Sequence, residues 1–363
     1  MRIFQTNRYY PALRSRLRGL DRNRGTFKET IGAFLDFREC AAHILEPVYA
    51  RAEWAFYTNP GDEFVQRRWA KEQGMNPRAP LGAILKAQIE AHRTEVFYVL
   101  DATGLDRDFM TTLPGCVRKT IAWHAIPFKN IDLSVYDLVV CNFPSILAAL
   151  KKLGCRTEYF SPAHDPELAP FAAHQDRPID VLFVGGYSRH HERRAKVLEI
   201  VAALSGEYKI EYHLDRSRLC RIAESPLGRL LPLARHRRPA AVAAIAQSPV
   251  FGLDLYGLMS KAKIVLNGAI DMAGGERGNM RCFEALGSGA LLLSDDGVYP
   301  EGMRDGETLV TYGSPDEAVE RIRTLLGTPQ PRLTIARAGH EMVATRYSKK
   351  AQWQRFEALV AAI

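Results

Sequence analysis

The chain has 363 residues, of which 47% are hydrophobic and 25% charged. This is the balance of an ordinary globular protein and excludes a disordered or fibrous one, and the length predicts two domains of about 170 residues rather than one. The formal net charge of +8 favours anionic partners such as nucleotide diphosphates or an anionic membrane face; nucleic acid is not expected, because no zinc-finger spacing or RNP-like aromatic pattern accompanies the charge.

No internal repeat or low-complexity tract is present. No segment approaches the roughly 18 apolar residues of a membrane span, and the first residues lack the apolar run of a signal peptide. The six cysteines, Cys40, Cys116, Cys141, Cys155, Cys220 and Cys282, are scattered without a C-x-x-C pair. They predict a reducing compartment and no structural zinc, with Cys141 and Cys282 as small core residues. The expected location is the cytoplasm, with peripheral attachment at the inner face of the plasma membrane left open.

In chain order, residues 1–6 read as a strand and 7–13 as a loop. A helical pattern runs over 26–49, with Phe27, Ile31, Phe34 and Leu35 on one face. Residues 53–58 read as a strand and 61–92 as mostly helix. Strands follow at 95–101, 118–124 and 138–142, then a helix over 144–152 stopped by Gly154, then a strand at 157–160. Strands alternating with helices indicate parallel βαβ units. Residues 161–178 contain Pro162, Pro166, Pro170 and Pro178 with little periodicity, and predict the break between domains. A second domain opens with a strand at 181–184 ending in Gly185-Gly186. It continues through a helix over 192–204, a strand at 208–214, a basic Pro-interrupted stretch over 216–247, and a strand at 264–266 ending at Asn267-Gly268. A helix is expected after Ser314 as N-cap, Pro315 at N1 and Glu317 closing a capping box, and residues 335–363 read as helical.

The most informative stretch is 271–296, DMAGGERGNMRCFEALGSGALLLSDD. It reads as a glycine loop, a helix beginning near Asn279, and a buried strand closed by Asp295 and Asp296. A glycine loop feeding a helix N-terminus presents unpaired backbone N–H groups and the positive end of the helix dipole, which suits phosphate. Glu276 in the loop and Glu284 in the helix bracket it with seven residues between them, and a carboxylate there can accept hydrogen bonds from a sugar diol. Phosphate binder plus diol binder suggests a nucleotide sugar. The competing reading is a glycine-flanked helix of the kind most α/β proteins contain.

This stretch resembles the donor-site motif of GT-B glycosyltransferases of the group 1 type, a Glu-x7-Glu motif followed by FEALGSGALLLSDD. It is most similar to the branch named for spore-maturation proteins, through Arg281-Cys282-Phe283-Glu284. The resemblance implies an α/β GT-B fold. Two Rossmann-like domains would face a cleft, and a C-terminal helix would return to the N-terminal domain. The implied boundaries are 1–165 for the acceptor domain, 166–178 for the linker, 179–345 for the donor domain and 346–363 for the returning helix. It also implies that Glu284 holds the ribose, that Glu276 contacts the donor sugar, and that His124, at the end of the 118–124 strand, faces that sugar. Without the resemblance, His124 reads as a satisfied structural histidine.

Other candidates surround these. Gly185 and Gly186 open a basic segment containing Arg189 and Arg193, where glycine permits close approach and arginine can fork onto phosphate; a solvated basic helix end is the alternative. The group 1 pattern has Arg where Gly186 stands here, and a Gly-Gly pair where Arg14-Ser15-Arg16 stand. Asn267, Asn279, Met280 and Arg281 complete the expected donor contacts, and Asp101 is a further strand-end candidate. Asp106-Arg107-Asp108 is a formal Asp-x-Asp, read as a loop or helix cap rather than a metal site, and no metal or cofactor is expected. The 216–247 stretch reads either as a surface excursion or as a basic amphipathic segment touching an anionic membrane, with Pro226, Pro232 and Pro239 arguing against one long helix.

The expected function is transfer of a sugar from a UDP- or GDP-sugar to a hydroxyl acceptor, a glycan, a lipid-linked precursor or another cell-surface precursor. Retention of anomeric configuration is implied by the resemblance. A GT-B-fold sugar-nucleotide epimerase and a non-catalytic nucleotide or sugar binder remain open alternatives. Nothing in the sequence specifies the oligomeric state.

Overall fold

The structure is a computed structural model that describes residues 1–9, 13, 19, 25–126, 131–188, 191–268 and 274–363. The chain divides into two compact units, Met1–Ala163 with Tyr347–Ile363, and His164–Arg346.

The first unit is built on six parallel strands: β1 Ile3–Thr6, β2 Ala55–Thr58, β3 Val96–Val99, β4 Lys119–Trp123, β5 Leu138–Cys141 and β6 Thr157–Tyr159. They lie in the order β2-β1-β3-β4-β5-β6. The inner strands β1, β3 and β5 are buried throughout, as expected of short apolar strands in a parallel sheet covered on both faces. Strand order reverses between β1 and β3, so the crevice of this unit opens where Asn7 and Asp101 leave the sheet.

The helix expected over 26–49 is broken. The chain is helical over Phe27–Asp36, opened by a capping box between Thr26 and Glu29, and again over Glu46–Tyr49. Between them Arg38 and Cys40 adopt positive φ of 62° and 55°. The cause is long-range. The buried Gln5 side chain donates to His43 O at 2.9 Å and accepts from Leu45 N at 3.0 Å. Lys349 Nζ donates to the carbonyls of Ala41 and Ile44. These backbone groups exchange helical partners for tertiary ones, and Pro47 removes a further donor. The helix Lys349–Ala362 supplies that lysine, and its Phe356 packs against Tyr98 with ring centroids 4.9 Å apart.

The second unit carries β7 Ile179–Gly186, β8 Ile210–Asp215, β9 Ala246–Gln247, β10 Ala262–Leu266, β11 Leu291–Asp295 and β12 Val310–Tyr312. Their order is β12-β11-β10-β7-β8-β9, all parallel. Counted within the unit this is the 3-2-1-4-5-6 arrangement of a doubly wound sheet, with its reversal between β7 and β10. Val181, Phe183, Ile264, Leu266, Leu291 and Leu293 line its core beneath the helix Glu192–Ala202. Residues 166–178 hold a 3-10 turn, Pro166–Leu168, and a short helix, Ala169–Ala172, inside this unit.

Helix ends follow local chemistry. Ser314 Oγ accepts from Glu317 N at 3.1 Å to open Pro315–Gly327. The Glu317 carboxylate reaches past the cap and accepts from Gly313 N at 2.7 Å. The helical tail expected over 335–363 is two helices, Pro329–Arg346 and Lys349–Ala362, with Ser348 capping the second. The helix Gly252–Met259 and strand β12 were not anticipated from the sequence. All six cysteines are free, with Cys141 and Cys282 fully buried. No helix among the described residues is long and apolar enough to cross a membrane.

Candidate functional site

The reversal point of the second sheet brings Gly185 and Gly186, at the end of β7, beside Asn267, which follows β10. Leu266 and Phe183 are paired in register, so Asn267 leaves its strand one residue beyond that pair. A Cβ on Gly186 would meet nothing within 4 Å, whereas one on Gly268 would lie 3.1 Å from the Arg194 stem. The surface at Gly186 is open and that at Gly268 is packed.

The helix Met280–Gly287 is fastened over this point by its cap. Asn279 Oδ1 accepts from Cys282 N at 3.3 Å, and Asn279 Nδ2 donates to Asn267 Oδ1 at 3.3 Å. Asn267 Nδ2 in turn donates to Ser294 Oγ at 3.1 Å, and Tyr312 OH donates to Asn267 O at 2.7 Å. The network joins the ends of β10, β11 and β12 to the helix N-terminus. The amides of Met280 and Arg281 belong to the first helical turn, whose N–H groups have no acceptor within the helix.

The glycine loop before the helix is equally determined. Gly274 and Gly278 take positive φ of 56° and 109°, conformations that favour glycine. Arg277 sits between Glu276 and Gly278 and is buried. It pairs with the buried Asp295 at 2.7 Å, and its Nη1 donates to Gly274 O at 3.1 Å and Glu276 O at 2.9 Å. Arg277 N donates to Val298 O and Val298 N donates to Gly275 O, both at 2.8 Å. Glu276 is thus held on a loop pinned to the end of β11.

Glu284 is almost wholly buried on the helix and pairs with Arg281 at 2.6 Å. Burial raises its pKa above the usual carboxylate range, offset in part by Arg281 and reinforced by Asp165. Cys282 is likewise pushed up to about 12 by burial and is no nucleophile at neutral pH. Arg193 forms an ion pair with Asp296 and donates to Gly313 O at 3.0 Å. Arg189 lies outside the described residues, as do Arg14, Ser15 and Arg16.

In the first unit, Asp101 follows β3 and accepts from Thr103 N at 2.9 Å, with Arg8 Nε 4.0 Å away. His124 follows β4 and is buried. Burial lowers its pKa, against a hydrogen bond with the Ile126 backbone and the charge of Asp101. Its imidazole is therefore neutral at pH 7. Asp106 caps the helix Arg107–Thr111 by accepting from Phe109 N at 2.8 Å.

Of the residues singled out from the sequence, the structure gathers Gly185, Gly186, Asn267, Asn279, Met280, Arg281 and Glu284 about one sheet reversal, with Glu276 on the adjoining loop. Arg193 sits with Asp296 and Gly313, at the ends of β11 and β12. Sequence reasoning missed Arg277, Ser294 and Tyr312. Arg277, a lone cation between loop glycines, was the only one with a visible signal.

A family model described as glycosyl transferase-like matches residues 230–358, which include the glycine loop and the Met280–Gly287 helix. No curated protein matches the sequence. Among solved structures, the chain is similar to HepE of Anabaena in complex with UDP and glucose, with a TM-score of 0.62 and 13% identity over 100% of both chains. It is similar to a glycosyltransferase from Rickettsia africae, with a TM-score of 0.54 and 12% identity over 98% of this chain and 97% of that one. It is also similar to sucrose-phosphate synthase from Thermosynechococcus elongatus, with a TM-score of 0.53 and 15% identity over 79% of this chain and 81% of that one. The likeness is one of fold, and the two parallel six-stranded sheets with their helices make the α/β GT-B architecture.

Proposed function

We propose that the protein is a glycosyltransferase that moves a sugar from a nucleotide diphosphate sugar to a hydroxyl acceptor. The observation that carries this reading is the meeting of an open Gly185-Gly186 strand end, Asn267 and an Asn279-capped helix N-terminus at the reversal of a doubly wound sheet. That arrangement suits a diphosphate. The glycosyl transferase-like match over the same helix supports it, as does the fold likeness to HepE, whose structure holds UDP-glucose. UDP-sugar is therefore preferred over GDP-sugar.

Bond breaking at the anomeric carbon sends an electron pair to the departing diphosphate, and the acceptor hydroxyl adds to that carbon as its proton passes to the departing diphosphate oxygen. In this reading the first-turn amides of Met280 and Arg281 stabilise the growing negative charge without metal. Glu284 takes the ribose hydroxyls, exchanging part of its pairing with Arg281, and Glu276 orients the donor sugar. Arg193 is paired with Asp296, and Arg189 is the other phosphate-binding cation that the sequence suggests. Retention of configuration, and a role for His124 toward the donor sugar, are what the Glu-x7-Glu resemblance implies. Glycan and lipid-linked hydroxyls are the acceptor classes.

The test is thermal stabilisation by UDP, GDP, ADP, CMP and TDP, followed by release of nucleotide from the matching sugar donor. A ligand at 100 times its Kd adds about 2.7 kcal/mol. The expected result is a shift with UDP that is lost in Glu284→Ala. No shift with any nucleotide sinks the donor site and the transferase reading together.

A further inference from the structure

Between Asp215 and Asp254 the chain holds seven arginines and one glutamate, Glu224. The segment is not one amphipathic helix. It folds as a short helix Arg218–Glu224, 3-10 turns Gly228–Leu230 and Ala234–His236, and a helix Ala240–Ile245.

Two of the arginines build its frame. Arg238 makes a two-pronged pair with Glu224, with Nε–Oε1 and Nη2–Oε2 both at 2.7 Å. Arg237 donates to Ala223 O at 3.1 Å and to Gly228 O and Leu231 O at 3.0 Å. Gly228 packs so closely on the Ile222 carbonyl that a Cβ there would collide with it. The turn carrying Leu227 and Leu230 is therefore held in place.

What the frame presents is unusual for a protein surface. Leu227 and Leu230 are 79% and 85% exposed, the most exposed large apolar side chains among the described residues, and Leu219, Ile222 and Leu231 are exposed with them. Arg218, Arg221 and Arg235 have no carboxylate partner among the described residues. Exposed apolar side chains carried on one short segment with exposed cations match the boundary between acyl chains and anionic headgroups. A second copy of the chain fits poorly, since the patch would meet its own positive charge. The core of a protein interface is depleted of charge, whereas here cations alternate with leucines.

We propose that residues 216–238 form a membrane-docking surface, with Leu227 and Leu230 entering the interface of an anionic bilayer and Arg218, Arg221 and Arg235 contacting its headgroups. This is independent of the transferase reading.

The experiment is flotation of the full chain with phosphatidylcholine vesicles, and with vesicles in which about one lipid in four is phosphatidylglycerol to supply the surface potential. Wild type should float with the anionic vesicles at least about tenfold more than with neutral ones, and about 0.5 M salt should release it. Leu227→Ser with Leu230→Ser, and separately Arg218→Ser with Arg221→Ser, should each lower flotation about tenfold, the step expected when several interfacial contacts are lost together. Both variants should keep the wild-type melting temperature and any stabilisation by UDP, which separates loss of docking from loss of fold or donor site. Absence of flotation, equal flotation on both vesicle types, or variants that float like wild type would overturn the proposal. So would capture of an acidic protein by a chain that binds no vesicle.

Discussion

Arg277 and Asp295 lie 2.7 Å apart with both side chains buried, an ion pair that ties the glycine loop before Met280 to the end of β11. Removing one partner leaves the other charge buried and uncompensated, at a cost of about 3–5 kcal/mol. Asp295→Ala is expected to show that loss in urea unfolding. Arg277→Ala should cost a similar amount, and the double variant less than the two added together. Strict additivity would mean that the two side chains do not act as a pair.

Gly186 and Gly287 separate function from packing. Alanine at Gly186 meets nothing within 4 Å, so Gly186→Ala should leave stability unchanged or slightly raised while weakening UDP binding by narrowing the approach to the strand end. Alanine at Gly287 would place its Cβ 2.7 Å from His164 Nδ1 and from Leu168 Cδ1. Gly287→Ala should therefore lose about 1–3 kcal/mol by overpacking. Calorimetry with and without UDP distinguishes the two, and a Gly186→Ala protein that binds UDP like wild type would remove that glycine from the site.

The Glu284 carboxyl has a folded pKa raised by burial. A carboxyl with a raised pKa opposes folding once pH exceeds its unfolded value, and the opposition is complete above its folded value. Glu284→Gln should accordingly be as stable as wild type or more so at pH 7. Its advantage should shrink as pH falls through the Glu284 pKa, and it should lose stabilisation by UDP. A variant that is unstable at pH 7 yet gains on acidification contradicts the sign of this shift.

The Asn279 side chain accepts from Cys282 N and donates to Asn267 Oδ1. Loss of an N-cap costs about 0.5–2 kcal/mol, so Asn279→Ala should fall in that range. Asn279→Ser should recover most of the stability, while the missing bond to Asn267 keeps UDP binding weakened. Full recovery of binding in the serine variant would show that the cap alone matters.

His124 is held neutral by a lowered pKa. A group whose neutral form acts and whose pKa lies below the usual imidazole value loses activity only at lower pH than an ordinary imidazole, which titrates near about 6.5. The acid-side fall in kcat/KM for transfer should therefore be displaced to lower pH in wild type. A fall centred near 6.5 that disappears in His124→Asn would mean that the histidine titrates normally. His124→Ala is expected to keep UDP stabilisation and lose transfer.

The residues that carry short-range instructions were legible from the sequence. Asn279, Ser314 and Gly154 mark helix ends because caps and left-handed turns are chosen by a residue and its near neighbours. The apolar runs of β3, β5 and β11 announce buried parallel strands for the same local reason. The helix expected over 26–49 failed because Gln5 and Lys349, far away in the chain, claim its backbone groups. No periodicity within a window reports such a partner.

By itself, the sequence determined the alternation of strands and helices, the capped helix at Asn279 and the glycine loop before it, all governed by contacts within a few residues. Only the tertiary structure decided that β7 lies beside β10, which sets Asn267 and the Gly185-Gly186 strand end at the same edge of the sheet. It likewise decided that Arg277 is spent on Asp295 and Arg193 on Asp296, and that Leu227 and Leu230 stand in solvent. Strand order and charge pairing are selected by burial and desolvation across the whole sheet. Those energies depend on residues that the chain brings together only when it folds.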